Sequence, residues 1–147
     1  MKEAILSYLS AGCSQRGSLH YYQTLDSTNT EAKALARQDA PAGTAVVAQM
    51  QTGGRGRMGR SFLSPAGGVY LSVILRPEMP AAELMHLTCA AAVAAQQAVR
   101  EVTGIVPQIK WINDLVLGSK KNGRYFNGAI HRPPNRTCRL CHYRHWH

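Results

Sequence analysis

No stretch of this sequence approaches the roughly 20 consecutive apolar residues that crossing a bilayer requires. The opening residues, Met1-Lys2-Glu3-Ala4-Ile5-Leu6, hold an early acid and too short an apolar run for a secretory signal, so a cytoplasmic location is expected. Acidic residues are missing altogether after Lys121, where Arg124, Arg132, Arg136, Arg139 and Arg144 follow. Setting those five arginines aside lowers the net charge from +9 to +4 for the first 121 residues. A basic nucleic-acid-binding protein is therefore an alternative that rests on the tail alone. There is no internal repeat and no Gly-Lys-Ser/Thr ending of a phosphate-binding P-loop, which excludes the commonest nucleotide motif. What is present, 45% hydrophobic and 17% charged residues in a chain of 147, suits one globular domain or part of a larger one.

Cysteine is sparse, with four residues. Cys89 falls in an alanine-rich helical stretch, where it reads as a small core residue. Cys138-Arg139-Leu140-Cys141-His142 spells a haem-attachment pattern and, with His145 and His147, suggests a zinc knuckle. Haem attachment needs an exported setting that the N-terminus does not support, and the tail has little apolar patterning to hold a closed zinc site. No metal ligands are assigned.

The pattern predicts a short amphipathic helix over 2–10, a β-prone segment at Leu19–Tyr22, and a helix starting within Asp26-Ser27-Thr28-Asn29-Thr30-Glu31-Ala32. Capping is the bland reading of Ser27 and Asn29. Strands are predicted at Thr44–Ala48, Val69–Leu75, Ile105–Trp111 and Leu115–Leu117, the last followed by a Gly118-Ser119 turn. The longest helix spans 82–102, near Gly104. Without a strict βαβ rhythm, the fold class is α+β with a mixed or antiparallel sheet packed against helices.

Between two of these strands lies Gly53-Gly54-Arg55-Gly56-Arg57-Met58-Gly59-Arg60, three arginines among four glycines. Glycine lets backbone approach a ligand closely, and guanidinium groups offer fixed charge and paired donors to carboxylate or phosphate. Composition alone leaves open an anion-binding loop, a flexible basic linker or an RNA-contacting segment.

Four segments together resemble the catalytic domain of a biotin–protein ligase, also called biotin–[acetyl-CoA carboxylase] ligase. They are Asp26-Ser27-Thr28-Asn29; Gln51 with the Gly54–Arg60 loop; Ser64-Pro65 with the strand after it; and Lys110-Trp111-Ile112-Asn113-Asp114 leading to Lys121. The resemblance covers about residues 18–121 and implies a class II synthetase-like biotin/lipoate ligase fold, incomplete at the C-terminus. It also implies ATP and biotin as substrates with Mg²⁺, formation of biotinyl-5′-AMP, and transfer to a lysine of the biotin carboxyl carrier domain of acetyl-CoA carboxylase. On this reading Ser27, Thr28, Asn29 and Gln51 line the biotin slot. Gly54, Arg55, Gly56 and Arg57 wrap the adenylate, and Lys121 lies near the biotin carboxyl and the phosphate. Arg57, Lys110, Lys121 and Asp114 are the candidate catalytic groups, with Asp114 orienting the metal or the incoming amine. Lys110 and Asp114 as a surface ion pair, and Trp111 as a core residue, are the plainer alternatives.

Ile112 replaces the usual proline of that segment, and Phe62 stands where a tryptophan commonly packs on the adenylate. Only about 25 residues precede the Ser-Thr-Asn site, too few for a winged helix-turn-helix, so no DNA partner is expected. A lipoate-protein ligase-like enzyme is the alternative within the same fold.

After Lys121 the resemblance stops. Permissible codons for Arg124 to His147, read one base later, spell Gly-Ile-Leu-Thr-Glu-Leu-Ser-Ile-Asp-Arg-Gln-Thr-Gly-Arg-Val-Gly-Tyr-Val-Ile-Ile-Gly-Ile-Gly, the two strands such a ligase would continue with. The expectation is a partial catalytic domain over 1–121 and an aberrant, disordered tail over 122–147. A frameshift near Lys120-Lys121 would account for the tail, and the chain itself would be weak or inactive as an enzyme.

Overall fold

The computed structural model describes residues 18–54, 61–80, 83, 86–110, 114–117, 120–132 and 136–145, the last two segments as backbone only. The expected helix over 2–10 and the Gly118-Ser119 turn lie outside the described residues. In chain order the elements are β1 (Leu19–Leu25), α1 (Thr28–Arg37), β2 (Ala45–Gln51), β3 (Tyr70–Leu75), α2 (His86–Thr103), β4 (Gln108–Lys110), β5 (Asp114–Leu117), β6 (Lys120–Arg132) and β7 (Arg136–His145).

They build a seven-stranded sheet in the order β1-β2-β3-β7-β6-β5-β4. β1 and β2 run parallel, joined through α1, and every other neighbouring pair is antiparallel. This is the mixed sheet with helices that the sequence predicts. The period-2 alternation of β3 places Tyr70, Ser72 and Ile74 on one buried face. Across the ladder Tyr70 pairs with Ala48 and Ser72 with Val46. Ala32 and Ala36, one turn apart on α1, bring that helix close to Val46 and Ile74, and all four are at most 2% exposed.

Several local features position these elements. The Arg76 guanidinium donates to Ala36 O and Ala40 O, satisfying carbonyls at the C-terminal end of α1 and offsetting its partial negative charge. Gly43, at φ 84°, turns the chain into β2 while its N–H donates to Ile74 O at 2.8 Å. Gly104, at φ 72°, ends α2 with its N–H on Arg100 O.

One boundary differs from expectation. The strand predicted over 105–111 is described as strand only at 108–110, because Ile105 and Val106 are exposed in the connection from α2. β6 (Lys120–Arg132) and β7 (Arg136–His145) lie in the sheet between β5 and β3. β3 and β5 each present a row of N–H and C=O groups that must be paired, and ladder hydrogen bonds do so whatever side chains the incoming segment carries. The Cys138–His142 motif lies on β7. Among the described residues, no helix is long and apolar enough to cross a membrane.

Candidate functional site

The parallel pair β1–β2 carries its register past the strand ends: Thr52 N donates to Leu25 O and Gly53 N to Asp26 O. The start of α1 and the end of β2 therefore meet. A Cβ on Gly53 would fall on the Asp26 carboxylate, so a side chain there would require that exposed carboxylate to swing aside.

Ser27 stands at the N-cap of α1 with extended backbone, φ −158° and ψ 126°, but its hydroxyl makes no capping bond. Ser27 Oγ and Asn29 Oδ1 are both buried without a hydrogen-bond partner among the described residues. Leaving a buried polar atom unsatisfied costs about 1–3 kcal/mol, so two such atoms within three residues mark a place prepared for something else. The capping reading of Ser27 is set aside by this geometry.

Beside them, Thr28 and Gln51 are held in a buried polar chain. Thr28 N (2.8 Å) and Thr28 Oγ1 (3.1 Å) both donate to Gln51 Oε1. Gln51 Nε2 donates to Ser64 Oγ at 2.9 Å, and Ser64 Oγ donates to Phe62 O at 3.1 Å. Ser72 Oγ, from the buried face of β3, donates to Thr28 Oγ1 at 2.9 Å. Ser64 and Ser72 were given no role from sequence. A serine among Tyr70, Leu71, Val73 and Ile74, on the inward parity of an apolar strand, was the signal available for Ser72.

The same residues form the neck of the arginine–glycine loop. Gln51 N donates to Ser64 O at 3.0 Å and Phe62 N to Gly54 O at 2.7 Å, with an antiparallel bridge between Gln51 and Ser64. Gly54 is buried, and a Cβ there would lie 2.5 Å from both Phe62 O and Ser64 Oγ. Phe62 is buried with Ala48 and Tyr70, flanked by Tyr22 and Leu25. It serves as an apolar post under the neck. Tyr22 donates its hydroxyl to Glu31 Oε1 at 3.0 Å, and burial, then that bond and the carboxylate's charge, push its pKa above the ordinary 10.0.

Of the candidate residues, Ser27, Thr28, Asn29, Gln51 and Gly54 are thus brought together. Arg55, Gly56 and Arg57 lie outside the described residues, as does Trp111. Lys110, exposed on β4, stands directly opposite Asp114 on β5, and Lys121 on β6 is paired with Val116 of β5. Among the described residues no cluster of three His, Cys, Asp or Glu is placed to hold a metal ion.

A helix-linked parallel strand pair in a mixed sheet, with a buried polar chain where α1 meets β2, sets this architecture apart from a P-loop nucleotide fold. The family model of the biotin/lipoate A/B protein ligases matches residues 21–132, and the chain belongs to that family. It is 48% identical over 104 residues to the bifunctional ligase/repressor BirA of Bacillus subtilis, covering 70% of this chain and 32% of that protein. It is 39% identical over 99 residues to the biotin–[acetyl-CoA-carboxylase] ligase of Paracoccus denitrificans, covering 65% of this chain and 40% of that one. The chain thus spans about a third of the length of these relatives. Among solved structures, the biotin protein ligase of Aquifex aeolicus in complex with biotin and ATP superposes with a TM-score of 0.70 at 30% identity, over 86% of this chain and 51% of that one.

Proposed function

We propose that this chain carries the biotin- and adenylate-binding part of an ATP-dependent biotin–protein ligase. The observation that carries the reading is the pair of unpartnered buried atoms, Ser27 Oγ and Asn29 Oδ1, beside the Gln51 carboxamide. A ureido ring offers two N–H donors and one carbonyl acceptor. Asn29 Oδ1 suits an N–H, while the Ser27 hydroxyl suits the carbonyl. A dithiolane ring has no such donors, which favours biotin over lipoate within the family.

In the first half-reaction a biotin carboxylate oxygen attacks the α-phosphorus of ATP. The bond to the bridging oxygen breaks, and pyrophosphate leaves. Two anions must approach, so fixed cations carry the electrostatic work; Arg55, Arg57 and Lys121 are assigned to it, with Lys110 adding charge. Asp114 would help to hold Mg²⁺, which would offset charge on the leaving group. The lysine amine of a carboxyl carrier domain then attacks the acyl carbon, and AMP departs. Closing Gly54–Arg60 over the mixed anhydride excludes water that would hydrolyse it.

On this reading the chemistry resides in residues 1–121, while 122–147 occupy the place of strands encoded in the neighbouring frame. Turnover by this chain alone is expected to be weak. Relatives named ligase/repressor and ligase alone both align over this region, so a DNA-binding role is left out of the proposal. Titrating the 147-residue chain with biotin, ATP and RNA tests it. Biotin-dependent slowing of hydrogen exchange over residues 51–60 is expected. Salt-sensitive RNA binding without any response to biotin would replace the ligase reading with a nucleic-acid-binding one.

A further inference from the structure

The hydrogen bonds around Gln51 run in one direction between two backbone groups whose roles are fixed. At one end the Thr28 N–H can only donate, so the carboxamide atom facing it is the oxygen. At the other end Phe62 O can only accept, so the Ser64 hydroxyl spends its proton there. Ser64 Oγ then receives an N–H from Gln51 through a lone pair. Gln51 Oε1 already accepts two bonds, from Thr28 N and Thr28 Oγ1. The Thr28 hydroxyl gives its proton to Gln51 and accepts from Ser72. What Gln51 retains is a single N–H, and what it lacks is any lone pair to offer.

We propose that Ser64 is a positioning residue that aims this remaining N–H of Gln51. A carboxamide is planar, with its two N–H vectors about 120° apart. Anchoring one of them on Ser64 therefore sets the direction of the other. The anchor is itself rigid, because Ser64 lies in the buried bridge with Gln51 at the loop neck and its hydroxyl is tied to the carbonyl of the adjoining post residue, Phe62. A Cβ on Gly54 would meet the same three groups, Phe62 O, Ser64 Oγ and Gln51 Nε2, so the glycine leaves this hydrogen-bonded anchor undisturbed. The wall of the slot is thereby a one-way donor at Gln51, suited to a ligand carbonyl or carboxylate oxygen and unsuited to a ligand N–H. Its functional meaning rests on the biotin reading above; the hydrogen-bond chain does not.

Two measurements on the full chain separate the inference from that reading. In the ligand-free protein, the side-chain amide protons of Gln51, assigned by their loss in Gln51→Glu, are expected to show one slowly exchanging and one faster proton. Ser64→Ala should bring both to fast exchange, and Ser64→Thr, which keeps the hydroxyl, should restore the slow one. In the second arm, Ser64→Ala should weaken biotin binding about tenfold, the loss typical of one positioned hydrogen bond, while ATP binding stays within about twofold. Two fast Gln51 protons in the unsubstituted protein would overturn the inference, even if Ser64→Ala proves unable to fold. Unchanged Gln51 exchange and biotin affinity in a folded Ser64→Ala would overturn it too. A chain that binds no biotin yet shows the protected Gln51 proton would sink the functional reading and leave the positioning of Gln51 standing.

Discussion

The two helices of this protein are opposites. α1 is short and buries Thr28, Ala32 and Ala36, whereas α2 spans 18 residues, is richer in apolar side chains, and buries only Ala92. Val93 and Val102 on α2, with Ile105 and Val106 just beyond it, are all exposed. Apolar content therefore does not decide burial. The small residues of α1 fall one turn apart, against Val46 and Ile74, and the polar contacts of Thr28 lock the helix start to β2 and β3. Among the described residues, the comparable anchor of α2 is where Ala92 meets Leu115. The candidate site sits on the well-packed side, where its geometry is held by core residues.

The largest effect expected from this contrast is at Ile74. Ile74→Ala removes a fully buried side chain next to Ala32, Ala36 and Val46 and should cost about 2–5 kcal/mol, toward the upper end. Leu115→Ala should fall toward the lower end of that range, because its partly exposed neighbours Ala91, Ala95 and Ile109 can collapse into the space. Urea melts of both variants check this, and equal losses would abolish the distinction between the two sides. Next comes the sheet between them. Replacing residues 124–147 by the continuation read one base later should raise the melting temperature by about 5–10 °C, equivalent to about 2–3 kcal/mol. The gain would come from apolar alternation on strands whose present sequence runs Arg136-Thr137-Cys138-Arg139.

At the neck, Gly54→Ala drives a methyl against a backbone carbonyl and should destabilise by about 1–3 kcal/mol, with loss of biotin binding followed by titration. The smallest effect is at Tyr22. Its folded pKa is raised, so its contribution is present in full below the unfolded value near 10.0 and is lost as pH climbs through the folded one. Tyr22→Phe should therefore lose less stability than the parent chain between pH 8 and strongly alkaline conditions, as read from urea midpoints.

Much of the arrangement was legible in the amino-acid order. Caps, an acid in the first turn and Ala32, Ala34, Leu35 and Ala36 located α1, and β-branched alternation located β3, because both signals are local. Ser27, Thr28, Asn29 and Gln51 were named together through family likeness, and local pattern alone favoured capping for two of them. Local pattern could not reveal that Ser27 would leave its hydroxyl unused, since that depends on where β2 ends. Nor could it assign Ser64 a role, because the Gln51–Ser64 bond exists only once the chain doubles back at Phe62. β6 and β7 are of another kind: their side chains carry no strand pattern, and backbone pairing with neighbouring strands is what places them in the sheet.

The hydrogen bond joining Phe62 to Gly54 has a mechanical consequence. By tying Gly54 to Phe62 next to the Gln51–Ser64 bridge, it makes the end of β2 and the approach to β3 one unit, so a backbone shift on either side of the neck is passed directly to the other.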